Sequence, residues 1–191
     1  DRLRALQVRV AGHDRAQVHL GLADEDLLQL ADPRPDLRNG VPRVEAEVER
    51  DLVVALTAGD AVSVQVAGGA LYYEAAAGAQ ASALLVWDGD DDDPAILDFT
   101  GLGGVDLTDG GTQDAFVLPL TLDVTTRFTL TLYSDAGHVS TYTVILSSVT
   151  GNLPFTHTVP FSAFTGDADF TNVGAIALEI ATDGGGVVLL G

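Results

Sequence analysis

Along most of this chain apolar and polar positions alternate with a period of two, the pattern of half-buried β-strands. Leu6, Val8 and Val10 alternate with Gln7 and Arg9, Gly12-His13-Asp14 interrupts, and Val18, Leu20 and Leu22 resume, which predicts a hairpin. One parity then runs through Val44, Ala46 and Val48, through Leu52, Val54 and Leu56, and, after the turn Ala58-Gly59-Asp60, through Val62, Val64 and Val66. It returns in Phe116 to Leu122, in Phe128, Leu130 and Leu132, in Tyr142, Val144 and Leu146, in Phe155, Val159 and Phe161, and in Ile176, Leu178 and Ile180. Pro119 removes a ladder donor from its strand and predicts an edge strand or a bulge there. Asp24-Glu25-Asp26 ahead of Leu27, Leu28 and Leu30 predicts one short helix with Asp24 as its cap.

Many short strands separated by Gly- and Asp-rich turns, with almost no helical pattern and no fixed repeat, predict an all-β chain. The expected architecture is an antiparallel β-sandwich, most simply a jelly roll. Three prolines and Asn39-Gly40 between Asp32 and Pro42 forbid regular structure there. They divide the chain into an N-terminal arm and Pro-rich connector, 1–43, and a sandwich domain, 44–191.

Charge sharpens that division. All 9 basic residues are Arg and face 28 acids, for a net charge of −19, and 8 of the 9 lie within residues 1–51. A basic footprint for nucleic acid or anionic membrane is therefore lacking. The excess of Asp with no Lys fits either adaptation to high salt, a halophilic setting, or a GC-rich genome. Zero Cys excludes disulfides, thiol nucleophiles and Cys-ligated metals. Zero Met, even at position 1, points to a processed chain whose export signal has been removed, hence to a secreted, cell-surface or periplasmic protein. No apolar run approaches the ~18 residues of a membrane span.

Several motifs resemble those of a known group. Gly101-Leu102-Gly103-Gly104-Val105-Asp106-Leu107-Thr108 is followed by the strand from Ala115, then Tyr133-Ser134-Asp135-Ala136-Gly137, Val159-Pro160-Phe161-Ser162-Ala163-Phe164 and Asn172-Val173-Gly174-Ala175-Ile176. In this order they resemble the galactose-binding-like jelly rolls, which include carbohydrate-binding modules and the complex I intermediate-associated type. With Trp87-Asp88-Gly89 the chain is similar also to uncharacterised secreted bacterial cell-surface proteins. The resemblance covers about residue 50 onward and implies the jelly-roll fold. It designates no catalytic residues, because this fold hosts glycan binding, protein contacts and purely structural roles.

No nucleophile elbow is present, and His13, His19, His138 and His157 have no metal-pair spacing, so the chain reads as a non-enzyme. His157 shares inward parity with Phe155 and Val159 and is expected as a hydrogen-bonded core or edge histidine. Asp88, Asp90 and Asp92 stand at the 1, 3, 5 spacing by which a tight loop turns carboxylates toward one hard cation. They form a candidate Ca²⁺ site, to be completed by Asp98 or Asp106, against the alternative of a solvated acidic loop. Trp87, the single Trp, together with Tyr72 and Tyr73 are the candidate sugar-stacking rings, against the alternative that Trp87 belongs to the core.

The leading functional expectation is a non-enzymatic structural or assembly protein of the cell surface. It would build an extracellular fibre or larger complex, with copies of itself or another surface protein, by strand addition through the arm. The arm equally well completes its own sandwich in cis. The alternative function is a carbohydrate-binding, adhesive module for polysaccharide with a structural calcium; a hydrolase is the remote third.

Overall fold

A computed structural model describes residues 6–11, 15–20, 29–30, 50–67, 70–89, 96–148 and 152–191, the first three segments and residues 50, 66 and 67 by backbone alone. The strands are β1 (Leu6–Ala11), β2 (Arg15–Leu20), β3 (Gln29–Leu30), β4 (Arg50–Ala58), β5 (Ala61–Ala67), β6 (Ala70–Ala75) and β7 (Gln80–Trp87). They continue as β8 (Ala115–Leu122), β9 (Thr126–Asp135), β10 (His138–Leu146), β11 (Phe155–Pro160), β12 (Thr165–Gly166), β13 (Ala175–Thr182) and β14 (Gly186–Leu190). One 3-10 turn, Phe161–Ala163, follows β11, and no described helix is long and apolar enough to cross a membrane.

Two antiparallel sheets result, ordered β1-β5-β6-β14-β8-β11 and β12-β10-β9-β13-β7-β4-β2, with β3 also on β8. The chain changes sheet at every step except β5 to β6, β9 to β10 and β12 to β13. This is the antiparallel β-sandwich of jelly-roll type that the period-two pattern predicts. The inward parity of the sequence is the parity of the core: Leu52, Val54 and Leu56 of one sheet and Leu118, Leu120 and Leu122 of the other belong to one cluster with Phe128, Leu130, Leu132, Leu178, Ile180, Val188 and Leu190, all buried.

The N-terminal strands pair in cis. The hairpin that the alternation over residues 6–22 predicts does not form: β1 lies antiparallel to β5 and β2 antiparallel to β4, so the two arm strands do not pair with each other but each supplies one edge of a different sheet, because each finds an unpaired edge strand there. The short helix expected from Asp24 is replaced at its end by β3, whose Gln29 and Leu30 pair with Val117 and Phe116; residues 21–28 lie outside the described residues. The physical reason is an unfilled stretch of β8. The β14 ladder on that side ends where Gly191 donates to the Pro119 carbonyl at 3.2 Å, and β3 takes up the backbone groups beyond. Pro119 is therefore neither on an edge strand nor in a bulge. Its missing donor falls in the interval between the two partial neighbours, where a ladder bond is least needed.

Candidate functional site

Inward parity on β4, β7, β9 and β13 fixes what the same strands show to solvent. Two cross-strand rows lie side by side on the outer face of the second sheet. One is Thr131-Ala177-Val86-Asp51 and the other Thr129-Glu179-Leu84-Val53, each running through β9, β13, β7 and β4. Ala177 is the small member between Thr131 and Val86, so the sheet surface dips there. The dip widens into a groove of about 400 Å³ lined by Asp51, Leu84, Val86, Asp88, Ile96, Leu97, Thr129, Thr131, Tyr133, Ala177 and Glu179.

The loop after β7 closes one end of this groove. The Asp98 N–H donates to Asp88 Oδ2 at 3.0 Å, pinning the loop to the residue that leaves β7. Phe99 meets Tyr133 edge-to-face, with ring centroids 5.4 Å apart, and so fixes the tyrosine ring at the groove wall. Burial raises the Tyr133 phenol above its ordinary 10.0, so it stays a neutral hydrogen-bonding group. Two glycines let the backbone come this close. A Cβ on Gly101 would lie 1.4 Å from the Asp88 carbonyl oxygen, and Gly89, at φ +103°, turns back against Gly101 itself. The Trp87-Asp88-Gly89 and Gly101-Leu102-Gly103-Gly104 motifs are thus two halves of one packing contact.

Asp51 and Asp88 are each only 2% exposed while they line the groove, and Glu179 is half-buried beside them. No Arg lines it among the described residues. The site therefore offers carboxylate acceptors, threonine and tyrosine hydroxyls, and the apolar faces of Leu84, Val86, Ile96 and Leu97. Among the described residues it presents no cation to an anionic ligand.

The sequence-predicted residues distribute otherwise. Trp87 is 7% exposed and sits in the core with Leu107 and Ile176, its ring facing away from the groove, because β7 alternates and Asp88 takes the outward position. Tyr73 is fully buried and shares a 2.8 Å hydrogen bond with Thr182 Oγ1. Tyr72 is 43% exposed, but on the outer face of the opposite sheet, opposite Leu189 of β14.

Asp90 and Asp92 lie outside the described residues, so of the acidic-loop set only Asp88 and Asp98 are placed together. Among the described residues no three metal-ligating side chains converge. Asp98 and Asp106 are engaged locally: Oδ1 of each accepts the backbone N–H and the hydroxyl of the Thr two residues on, at 2.8 and 2.8 Å for Asp98 and 2.8 and 2.6 Å for Asp106. Asp169 does the same with Thr171 at 2.9 and 2.7 Å. These bonds hold all three carboxyls below their ordinary 3.8. Much of the Asp excess is thus turn chemistry. His157 is the edge histidine its parity predicts, half-buried, its Nε2 sharing a 3.2 Å hydrogen bond with Tyr142.

Asp51 carries no motif, Tyr133, Thr129 and Thr131 enter only through a strand motif that speaks for the fold, and Glu179 reads in sequence as an ordinary solvated residue. Only strand adjacency reveals them as one site.

No family model matches this chain, and no curated protein matches it by sequence. Among solved structures it is similar to a family 11 carbohydrate-binding module from Clostridium thermocellum in complex with a β-1,3-1,4-mixed-linked tetrasaccharide. Identity is 11% and TM-score 0.36, over 85% of this chain and 91% of that one. It is likewise similar to the family 11 module of the Clostridium thermocellum cellulosomal cellulase Lic26A-Cel5E, at 11% identity and TM-score 0.36, over 85% of this chain and 90% of that one.

Proposed function

We propose that this protein is a non-catalytic carbohydrate-binding module of an exported or cell-surface protein, and that the groove on the outer face of the second sheet takes a neutral polysaccharide. The observation that carries this reading is the combination of groups lining that groove. Sugars present C–H faces to apolar and aromatic surface and hydroxyls to hydrogen-bonding groups. Tyr133, Leu84, Val86 and Ile96 supply the first, and Asp51, Asp88, Glu179, Thr129 and Thr131 the second. Three carboxylates among the described lining residues, Asp51, Asp88 and Glu179, disfavour sulfated or uronate glycans. An open groove along two cross-strand rows suits an extended chain better than a single small ligand.

Affinity electrophoresis against a panel of neutral β- and α-glucans, mannans and xylans tests the proposal. Retention is expected for at least one, weakened about tenfold or more by Tyr133→Ala and unchanged by Tyr72→Ala on the opposite face, with no release of reducing ends. Retention by none of the panel, or equal loss in both variants, overturns it.

A further inference from the structure

The chain runs 31 residues, Ala136 to Gly166, without Asp, Glu, Lys or Arg, 28 of them in the block from Val139 onward, whereas its next longest uncharged stretches are 13. This block builds nearly all of β10, with β11, the 3-10 turn and β12: the far edges of both sheets, on one side of the sandwich. On this lateral side of a −19 molecule the edge strands themselves carry no charge between Val139 and Gly166.

It is also open. Among the described residues β12 covers β10 only at Ser140 and Thr141. Val139 spends its backbone groups on this outer side, its carbonyl accepting from the Asp167 N–H at 3.1 Å and its own N–H donating to Asp167 Oδ1 at 3.2 Å. By alternation along a strand whose single irregularity lies before Val139, Thr143 and Ile145 direct their N–H and C=O groups outward too. Sheet edges are ordinarily guarded by charge, proline or a bulge. Over Tyr142–Leu146 there is none of these, and Ile145 is 66% exposed. The neighbouring edge of β11 differs in being preceded by Pro154 and in ending on Pro160.

We infer that the free edge of β10 is a dimerisation edge, and that its occupant is β10 of a second copy of this chain, antiparallel about a two-fold axis at Val144. The register follows from which groups are free. Thr143 of each copy exchanges both backbone bonds with Ile145 of the other, and Val144 faces Val144 across the non-hydrogen-bonded position. Tyr142 faces Leu146, so their half-buried side chains, with Val144, continue the interior across the junction. β12 marks where the pairing stops. The charge distribution selects a second copy over other partners. Two chains of −19 repel everywhere except where both are neutral, and a basic partner finds no acid in this block to hold it. The two-fold axis stands perpendicular to the joined sheet, so both grooves face the same way.

The full-length chain tests this by sedimentation and by cross-linking, the latter made clean because the protein contains no Cys. A concentration-dependent monomer–dimer equilibrium is expected, at least several-fold tighter in 1 M than in 0.05 M salt because screening relieves the like charge. Val144→Cys is expected to form a disulfide-linked dimer under mild oxidation at least tenfold faster than the control Val187→Cys on the other sheet. The Cα separation at a non-hydrogen-bonded pair, about 4.5 Å, suits that bond. Thr143→Pro, which deletes one outward donor, is expected to leave a folded monomer. A monomer at every concentration to about 1 mM, or cross-linking of V144C no faster than of V187C, overturns the inference.

Discussion

Replacing Gly101 with alanine is expected to destabilise the protein more than any other alanine substitution in the 101–104 glycine cluster that meets open space. The reason is steric rather than conformational. An added Cβ would lie 1.4 Å from the backbone oxygen of Asp88, where ordinary contact begins near 3.4 Å, so the loop and the end of β7 must part by about 2 Å. Neither side of the contact is a flexible side chain. Overpacking against backbone costs about 3 kcal/mol, at the upper end of its usual range. Gly103, two residues on, is the control: at φ +70° a side chain there is strained, yet nothing lies within 4 Å of its added Cβ. Its alanine variant should lose only about 1 kcal/mol. For a chain of this size the two correspond to melting temperatures lowered by about 6–12 °C and about 2–4 °C, read by calorimetry or circular dichroism. Because the Gly101 contact also seats Asp98 on Asp88, G101A should weaken polysaccharide retention while G103A keeps it. If G101A melts no lower than G103A, the close approach assigned to the two motifs is wrong.

The buried Tyr73–Thr182 hydrogen bond gives a second prediction. Tyr73→Phe or Thr182→Val alone strands one buried partner and should cost about 1–3 kcal/mol, and the double variant clearly less than the sum of the two; additive denaturation energies would show that the hydroxyls do not depend on each other. Burial holds His157 below its ordinary 6.5, so just beneath that value the unfolded chain takes up a proton that the folded one refuses. Its contribution is complete above pH 6.5 and lost as pH falls through the lowered value. His138 acts with the opposite sign, raised by its hydrogen bond and attraction to Asp135, its contribution present below 6.5 and lost as pH rises through the raised value. In a His138→Asn background, His157→Gln should therefore flatten the decline in urea midpoint between pH 7 and 5. An unchanged slope would mean that His157 is solvated.

Which positions face inward was legible from the sequence alone, because the strand period of two is a local property of the chain and burial follows it. Leu52, Val54, Phe128, Leu130, Leu178 and Ile180 are buried as their parity requires, and the all-β sandwich follows from the number of such runs. The same local rule placed His157 inward. What no local rule contains is which strand lies beside which. The groove joins β4, β7, β9 and β13, whose chain positions are up to about 130 residues apart, and Ala177, Glu179, Thr131 and Asp51 become neighbours only through registers the ladders set. The aromatic candidates show the limit plainly: being the single Trp made Trp87 conspicuous, but its ring lies in the core, and Tyr133, which the sequence marks only as part of a fold motif, lines the groove. The acids divide in the same way. Asp-x-Thr turns are local and were readable in principle, whereas the burial of Asp51 and Asp88 is a decision of the assembled sheet. The neutral run from Val139 to Gly166 is printed in the sequence. Only tertiary structure gathers it onto one side, because the two edges it forms belong to different sheets and meet only when the sandwich closes.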